Sequence, residues 1–234
     1  MLMNNRAKHI KHKSLKKFIV ICLLFMLGQK AVLYYTSFSD FMDAQMNTGH
    51  IIEPPDEWYL LVVNRWNSIP EDFSITLTEL SNGKKIDSRI YSYLQEMFDA
   101  AREEGIYPIV REGYRTTEEQ QEILNAKVQT YIKEGYSRSR AVSIAKEWVA
   151  VPGTSEHQLG IAVDINADQA KSSNEEVYEW LAENAYKFGF ILRYPQGKAS
   201  ITGTMYEPWH YRYVGKDVAE EIFIKQICLE EYFD

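Results

Sequence analysis

The segment "GTSEHQLGIAVDIN", Gly153 to Asn166, constrains the fold more than any other stretch of the chain. Its second half alternates, with Ile161, Val163 and Ile165 on one parity and Ala162 and Asp164 on the other. Such alternation predicts a strand with one apolar face turned to a core. The opposite face then carries a carboxylate in mid-strand, a costly position for a charge without a partner. His157 precedes that strand, and Gly160 between His157 and Asp164 permits a bend or a close backbone approach.

The elements around this strand read from periodicity and punctuation. "DSRIYSYLQEMFDAAREEG" places Ile90, Leu94, Met97 and Ala101 on one helical face, with Asp87 or Ser88 as cap and Gly105 as stop. "TTEEQQEILNAKVQTYIKEG" opens with a Thr116/Glu119 capping box and closes at Gly135. "SRSRAVSIAKEWVA" predicts a further helix that stops before Val151-Pro152-Gly153. "SSNEEVYEWLAENAYKFG" is capped by Ser173 with Glu176 and stopped by Gly189, and "KDVAEEIFIKQICLEEYF" predicts one closing helix. Strands are expected at "WYLLVVNR", "IYPIVREG", "FILRY" and "WHYRYVG", the last two flanking the loop "PQGKASITGT". Helices and strands are not strictly interleaved, which favours an α+β domain with a small antiparallel sheet and flanking helices over a doubly wound parallel sheet.

Charge divides the chain. Residues 1–30 hold seven Lys or Arg and no acid, whereas the remainder has 19 basic against 33 acidic side chains. So acidic a body is poorly suited to nucleic acid, whose phosphates require Lys and Arg. The basic tail, residues 1–17, precedes the apolar run "FIVICLLFML", Phe18 to Leu27. Ten residues are short of the roughly 20 needed for a full span. Extension to residue 35 admits Gln29 and Lys30, and a lysine near a membrane face can snorkel. No small-residue cleavage site follows, and Ile21 before Cys22 disfavours a lipoprotein site. Residues 18–35 therefore read as a signal-anchor with its basic end inside, a cleaved signal peptide being the close alternative. Residues 36–57 read as a polar linker stiffened by "EPP", and residues 58–234 as the folded body, which such an anchor would hold outside the cell membrane. Cys22 lies in the apolar segment, which leaves Cys228 without an intradomain disulfide partner and removes thiolate-rich metal sites from consideration.

His157 and Asp164 gain a counterpart in "EPWHYRYVG", where Glu207 precedes His210 by three residues. Two imidazoles and one carboxylate suit Zn²⁺, and a hydrolytic zinc site wants three protein ligands and one open position. A fourth group must accept a proton from water, and Glu207 is available for it. Pro208 blocks a helical reading and favours a turn ahead of the strand, which would bring Glu207 to the cavity faced by His210. His210 and Arg212 share one strand face, Trp209, Tyr211 and Tyr213 the other.

"SEHQLGIAVDI" together with "EPWHYRYVG" resembles the zinc-dependent D-alanyl-D-alanine carboxypeptidases of the VanY type, whose relatives include LD-carboxypeptidases and VanX-type dipeptidases. Ser155, His157, Gly160, Ala162 and Asp164 match the family's first motif, and Glu207 and His210 its second. Gly113, Tyr114, Arg115 and Gln120 match a third segment, and the likeness runs from about Trp58 to Gly215. Glu112 departs from the small residues common there, which implies an altered pocket rim. The resemblance implies a Hedgehog/DD-peptidase-like fold, zinc held by His157, Asp164 and His210, and Glu207 as general base. It further implies that Arg115 neutralises charge on the scissile carbonyl or substrate carboxylate, and that Gln120 and Ser155 contact substrate. The expected activity is removal of the C-terminal D-alanine from peptidoglycan stem peptides. An LD-carboxypeptidase or peptidoglycan endopeptidase would use the same zinc motifs. A cell-wall binding module without turnover is the reading of another class, and the intact Glu207 and Arg115 argue against it.

Overall fold

A computed structural model describes residues 57–233. The expected tail 1–17, the signal-anchor 18–35 and nearly all of the linker 36–57 lie outside the described residues. Among the described residues no helix is long and apolar enough to cross a membrane.

The first stretch departs from expectation. Leu60, Leu61, Val62 and Val63 are buried, yet "WYLLVVNR" joins no sheet. The Arg212 guanidinium donates to the carbonyls of Tyr59 (3.0 Å) and Leu61 (2.8 Å), so a side chain satisfies backbone acceptors that a ladder would otherwise have paired. A hairpin that the sequence patterning did not reveal follows, β1 (Leu77–Glu79) against β2 (Lys85–Asp87), with Gly83 at φ 79° in its turn. Its strands are three residues each, too short to show a period.

The first long helix, α1 (Tyr91–Glu103), follows a 3-10 turn capped by Asp87, whose carboxylate accepts from Arg89 N at 2.8 Å. Leu94, Met97, Phe98 and Ala101 on its inner face are buried. β3 (Pro108–Glu112) leads to α2 (Thr117–Lys133), which carries the predicted Thr116/Glu119 capping box. α3 (Arg138–Ala145) packs on α2 through Leu124, Val128, Ala141 and Ala145 and ends five residues earlier than the sequence pattern suggests. A 3-10 turn (Glu156–Leu159) then runs into β4 (Ala162–Ala167). α4 (Asn174–Asn184) starts at the Ser173/Glu176 capping box, and a further 3-10 turn ends at Gly189 before β5 (Phe190–Leu192). The expected loop between the last two strands contains a one-turn helix, α5 (Ala199–Thr202), ahead of β6 (His210–Tyr213).

The closing helix is two helices. α6 (Lys216–Lys225) stops at Gln226, which turns left-handed at φ 55°, and α7 (Leu229–Tyr232) follows. The break turns Cys228, Leu229 and Glu230 inward, and all three are buried.

The antiparallel sheet runs β3-β4-β6-β5. This is the expected α+β arrangement of a small antiparallel sheet with flanking helices. Val163 pairs with Tyr211, and Ile161, Val163 and Ile165 join a core that includes Leu94, Met97 and Phe98 of α1 and Val177 and Leu181 of α4. Each such fully buried chain contributes about 1.5–3 kcal/mol. The other parity places Asp164 opposite His210 and Ala162 opposite Arg212. β3 carries a bulge between Val110 and Glu112, where the sheet edge meets the site.

Candidate active site

Each residue singled out for chemistry lines one cavity of about 140 Å³: Arg115, Gln120, Ser155, His157, Asp164, Glu207 and His210. Three routes bring them there. The β4–β6 register sets Asp164 against His210. Gly160, left-handed at φ 70°, folds the turn carrying His157 back over β4; a Cβ there would lie 2.4 Å from Ile75 Cδ1 and 3.0 Å from Asp87 N. Glu207 arrives on a turn through Pro208, closed by His210 N donating to Glu207 O at 3.2 Å.

The Asp164 carboxylate is the focus. Its Oδ1 lies 2.9 Å from His210 Nδ1 and 3.3 Å from His157 Nε2, while Oδ2 accepts from Arg115 Nη2 at 3.2 Å. One donor atom from each of His157, Asp164 and His210 falls within 4.8 Å of the others. His157 Nδ1 donates to the Gly113 carbonyl at 2.8 Å, which leaves Nε2 as the lone-pair nitrogen toward the cluster. Gly113 is buried because β3 crosses the hairpin tightly there; a Cβ would stand 2.3 Å from the Lys85 carbonyl. Two imidazole nitrogens and a carboxylate oxygen that converge in this way fit a Zn²⁺ ion.

Burial dominates the local electrostatics. It holds His157 below the ordinary imidazole value, which favours the neutral ligand form. Burial opposes the charged form of Asp164 as well, but the two imidazoles pull its carboxyl well below the usual range. At His210 burial is outweighed by the Asp164 and Glu156 carboxylates, which raise it to about 9. Burial lifts Glu207 to about 7, with the neighbouring His210 and Arg115 cations opposing. Glu207 Oε2 lies 3.8 Å from His210 Nδ1, adjacent to the ligand cluster without belonging to it.

Arg115 is fastened from three sides. Its backbone N donates to the His157 carbonyl at 3.1 Å, Nη2 meets Asp164, and Nη1 meets Gln120 Oε1 at 3.4 Å. The Gln120 amide also donates to the Ala150 carbonyl at 2.8 Å, so both of its ends are used within the protein. Ser155 is 4% exposed and its hydroxyl caps no helix. Glu112 pairs with Lys84 at 3.1 Å and lines a neighbouring cleft of about 810 Å³ that shares Arg115 and Ile123 with the central cavity.

A model of the VanY D-alanyl-D-alanine carboxypeptidase family matches residues 83–216, which include all of these side chains. The chain belongs to this family. A D-alanyl-D-alanine carboxypeptidase of Enterococcus faecalis is 58% identical over 178 residues, 76% of this chain and 66% of that protein's length. The crystal structure of a vancomycin-resistance D,D-pentapeptidase VanY variant in complex with Zn(II) superposes with a TM-score of 0.75 at 58% identity, covering 76% of this chain and all of the other. VanYB in complex with D-alanine-D-alanine gives 0.74 at 59% identity over 75% of this chain and 97% of its own. The LdcB LD-carboxypeptidase gives 0.60 at 34% identity over 78% of this chain and 92% of its own.

The sequence did not single out a set of buried charges behind the ligands. Arg193 donates to Glu156 Oε1 (Nε, 2.7 Å) and in bidentate fashion to Glu230 (2.7 and 2.8 Å), while Arg212 Nη1 lies 2.8 Å from Glu156 Oε1. Both arginines are 0% exposed. The available signal was an arginine inside each apolar aromatic strand, "FILRY" and "WHYRYVG", a charge that burial obliges to find a partner.

Proposed function

We propose that this protein is a zinc D,D-carboxypeptidase that removes the terminal D-alanine from peptidoglycan stem peptides. The observation that carries the reading is the convergence of His157, Asp164, His210, Glu207 and Arg115 on one cavity, in a chain 58–59% identical to solved VanY structures holding zinc or D-alanine-D-alanine. The LD-carboxypeptidase structures stand further away, at 34% and 29% identity, which favours D,D over L,D cleavage.

His157, Asp164 and His210 hold the metal. Bound there, zinc supplies Lewis acidity, polarising a carbonyl and lowering the pKa of water toward about 7. Glu207 accepts the proton of the attacking water and returns it to the leaving amine; a carboxylate with a raised pKa in a buried pocket suits both halves of that transfer. Arg115, held by Asp164 and Gln120, directs its guanidinium at negative charge developing on the scissile carbonyl or carried by the substrate carboxylate. Gln120 thus serves substrate through Arg115, and Ser155, which lines the same cavity, contacts substrate directly in this reading. The cleft shared through Arg115 and Ile123 gives the upstream stem residues a path outward, with Glu112 on its rim. The basic tail and apolar run support export across the cell membrane, where such a substrate lies.

The test is incubation of the zinc-loaded protein with a stem pentapeptide ending in D-Ala-D-Ala and with the matching tetrapeptide, followed by mass analysis. Loss of a single D-alanine from the pentapeptide supports the proposal. Cleavage of the tetrapeptide alone, or of neither, would refute it.

A further inference from the structure

Glu156, one residue before His157 and not among the motif residues named above, is 1% exposed. Its Oε1 accepts from Arg193 Nε at 2.7 Å and forms an ion pair with Arg212 Nη1 at 2.8 Å. Its Oε2 is buried without a hydrogen-bond partner and lies 3.5 Å from His210 Nε2, which is itself buried and without one. Two unsatisfied buried atoms that face each other are complementary only if the imidazole nitrogen is the donor.

We propose that Glu156 is a positioning residue that holds the Nε2 proton of His210 and so presents Nδ1 to the metal. The two histidine ligands are then oriented in mirror fashion. His157 gives its Nδ1 proton to the Gly113 carbonyl and binds through Nε2; His210 gives its Nε2 proton to Glu156 and binds through Nδ1. Arg193 and Arg212 fix the carboxylate so that only Oε2 faces His210. The proposal rests on the reading of His210 as a zinc ligand.

This arrangement makes Glu156→Gln informative. The two arginines are donors only, so the glutamine oxygen must face them and its NH₂ must face His210. A donor opposite Nε2 forces the proton onto Nδ1, the nitrogen meant for the metal. Loss of such an outer partner typically weakens metal binding about 10- to 100-fold. The experiment measures zinc affinity of full-length wild type and Glu156→Gln by chelator competition, with circular dichroism of both metal-free proteins. It also records the two-bond proton–nitrogen spectrum of the zinc-loaded wild type, which needs no variant to fold. The expected results are an affinity loss of about 10- to 100-fold in a folded variant, and a wild-type His210 protonated at Nε2. An unchanged zinc affinity in folded Glu156→Gln, or a wild-type His210 protonated at Nδ1, would overturn the proposal and leave the ligand set standing. A wild type that binds no zinc would overturn both.

Discussion

At the scale of single residues, Asp164 shows how a strand built for a core carries chemistry. Its neighbours Val163 and Ile165 are fully buried on the apolar face, and the alternation turns its carboxylate to the face shared with His210. Arg115 has a defined role in that geometry because one planar fork reaches both Asp164 and Gln120. Lysine has a single ammonium and cannot span both acceptors. Arg115→Lys is therefore expected to keep its zinc and lose about 100- to 1,000-fold in D-alanine release, read from kcat/KM alongside metal content. Unchanged kcat/KM would remove Arg115 from the reaction. Gly160→Ala should lower stability by at least about 1–2 kcal/mol, from the left-handed conformation alone, with the Ile75 clash adding to it; a urea midpoint equal to wild type would contradict the geometry. That His157, Asp164, Glu207 and His210 would meet in one cavity was legible because His, Asp and Glu at motif spacing have few other joint explanations. The hydrogen bond to the Gly113 carbonyl and the place of Glu156 were not, because one uses a carbonyl that every residue possesses and the other a contact that only the folded chain creates.

At the scale of elements, legibility followed local determinism. Both capping boxes, Thr116/Glu119 and Ser173/Glu176, start their helices where the sequence places them, since their hydrogen bonds close within four residues. Thr116→Ala should cost about 1 kcal/mol, within a range of 0.5–2, and it acts beside Arg115; a denaturant midpoint indistinguishable from wild type would show the cap to be idle. The buried first segment and the split closing helix escaped prediction because their determinants are distant. Leu60–Val63 is apolar enough for a strand, but Arg212 claims the carbonyls of Tyr59 and Leu61. The closing pattern reads as one helix until Gln226 breaks it and Glu230 reaches Arg193. Asn64 also donates to Glu230 at 2.9 Å, so α7 ties the first described segment to Arg193, the residue after β5. Glu230→Ala leaves Arg193 short of a buried partner and should destabilise the domain by about 3–5 kcal/mol; a change below about 1 kcal/mol by calorimetry would show that the pair contributes little.

At the scale of the whole molecule, the sheet separates two tasks. One face packs on α1 and α4, and the other gathers Asp164 and His210 at the candidate metal site, with Glu156, Arg193, Arg212 and Glu230 behind it. The α+β class and the peptidase family were readable from pattern and motif, while the charge network joining the two ends of the domain belongs to tertiary structure. Zinc should bind the folded state far better than the unfolded one, so the thermal midpoint should rise with free zinc, by the equivalent of about 2.7 kcal/mol at 100 times the dissociation constant. A midpoint indifferent to zinc would count against a site preformed by the fold. The most direct test of the catalytic assignment pairs two readings on the same preparations of wild type and Glu207→Gln: zinc content, and D-alanine released from the stem pentapeptide. The predicted result is one zinc per chain in both proteins, release by the wild type that stops on chelation, and release by Glu207→Gln reduced by about 100-fold or more. Equal release by the two proteins, or release by the wild type stripped of zinc, would contradict it.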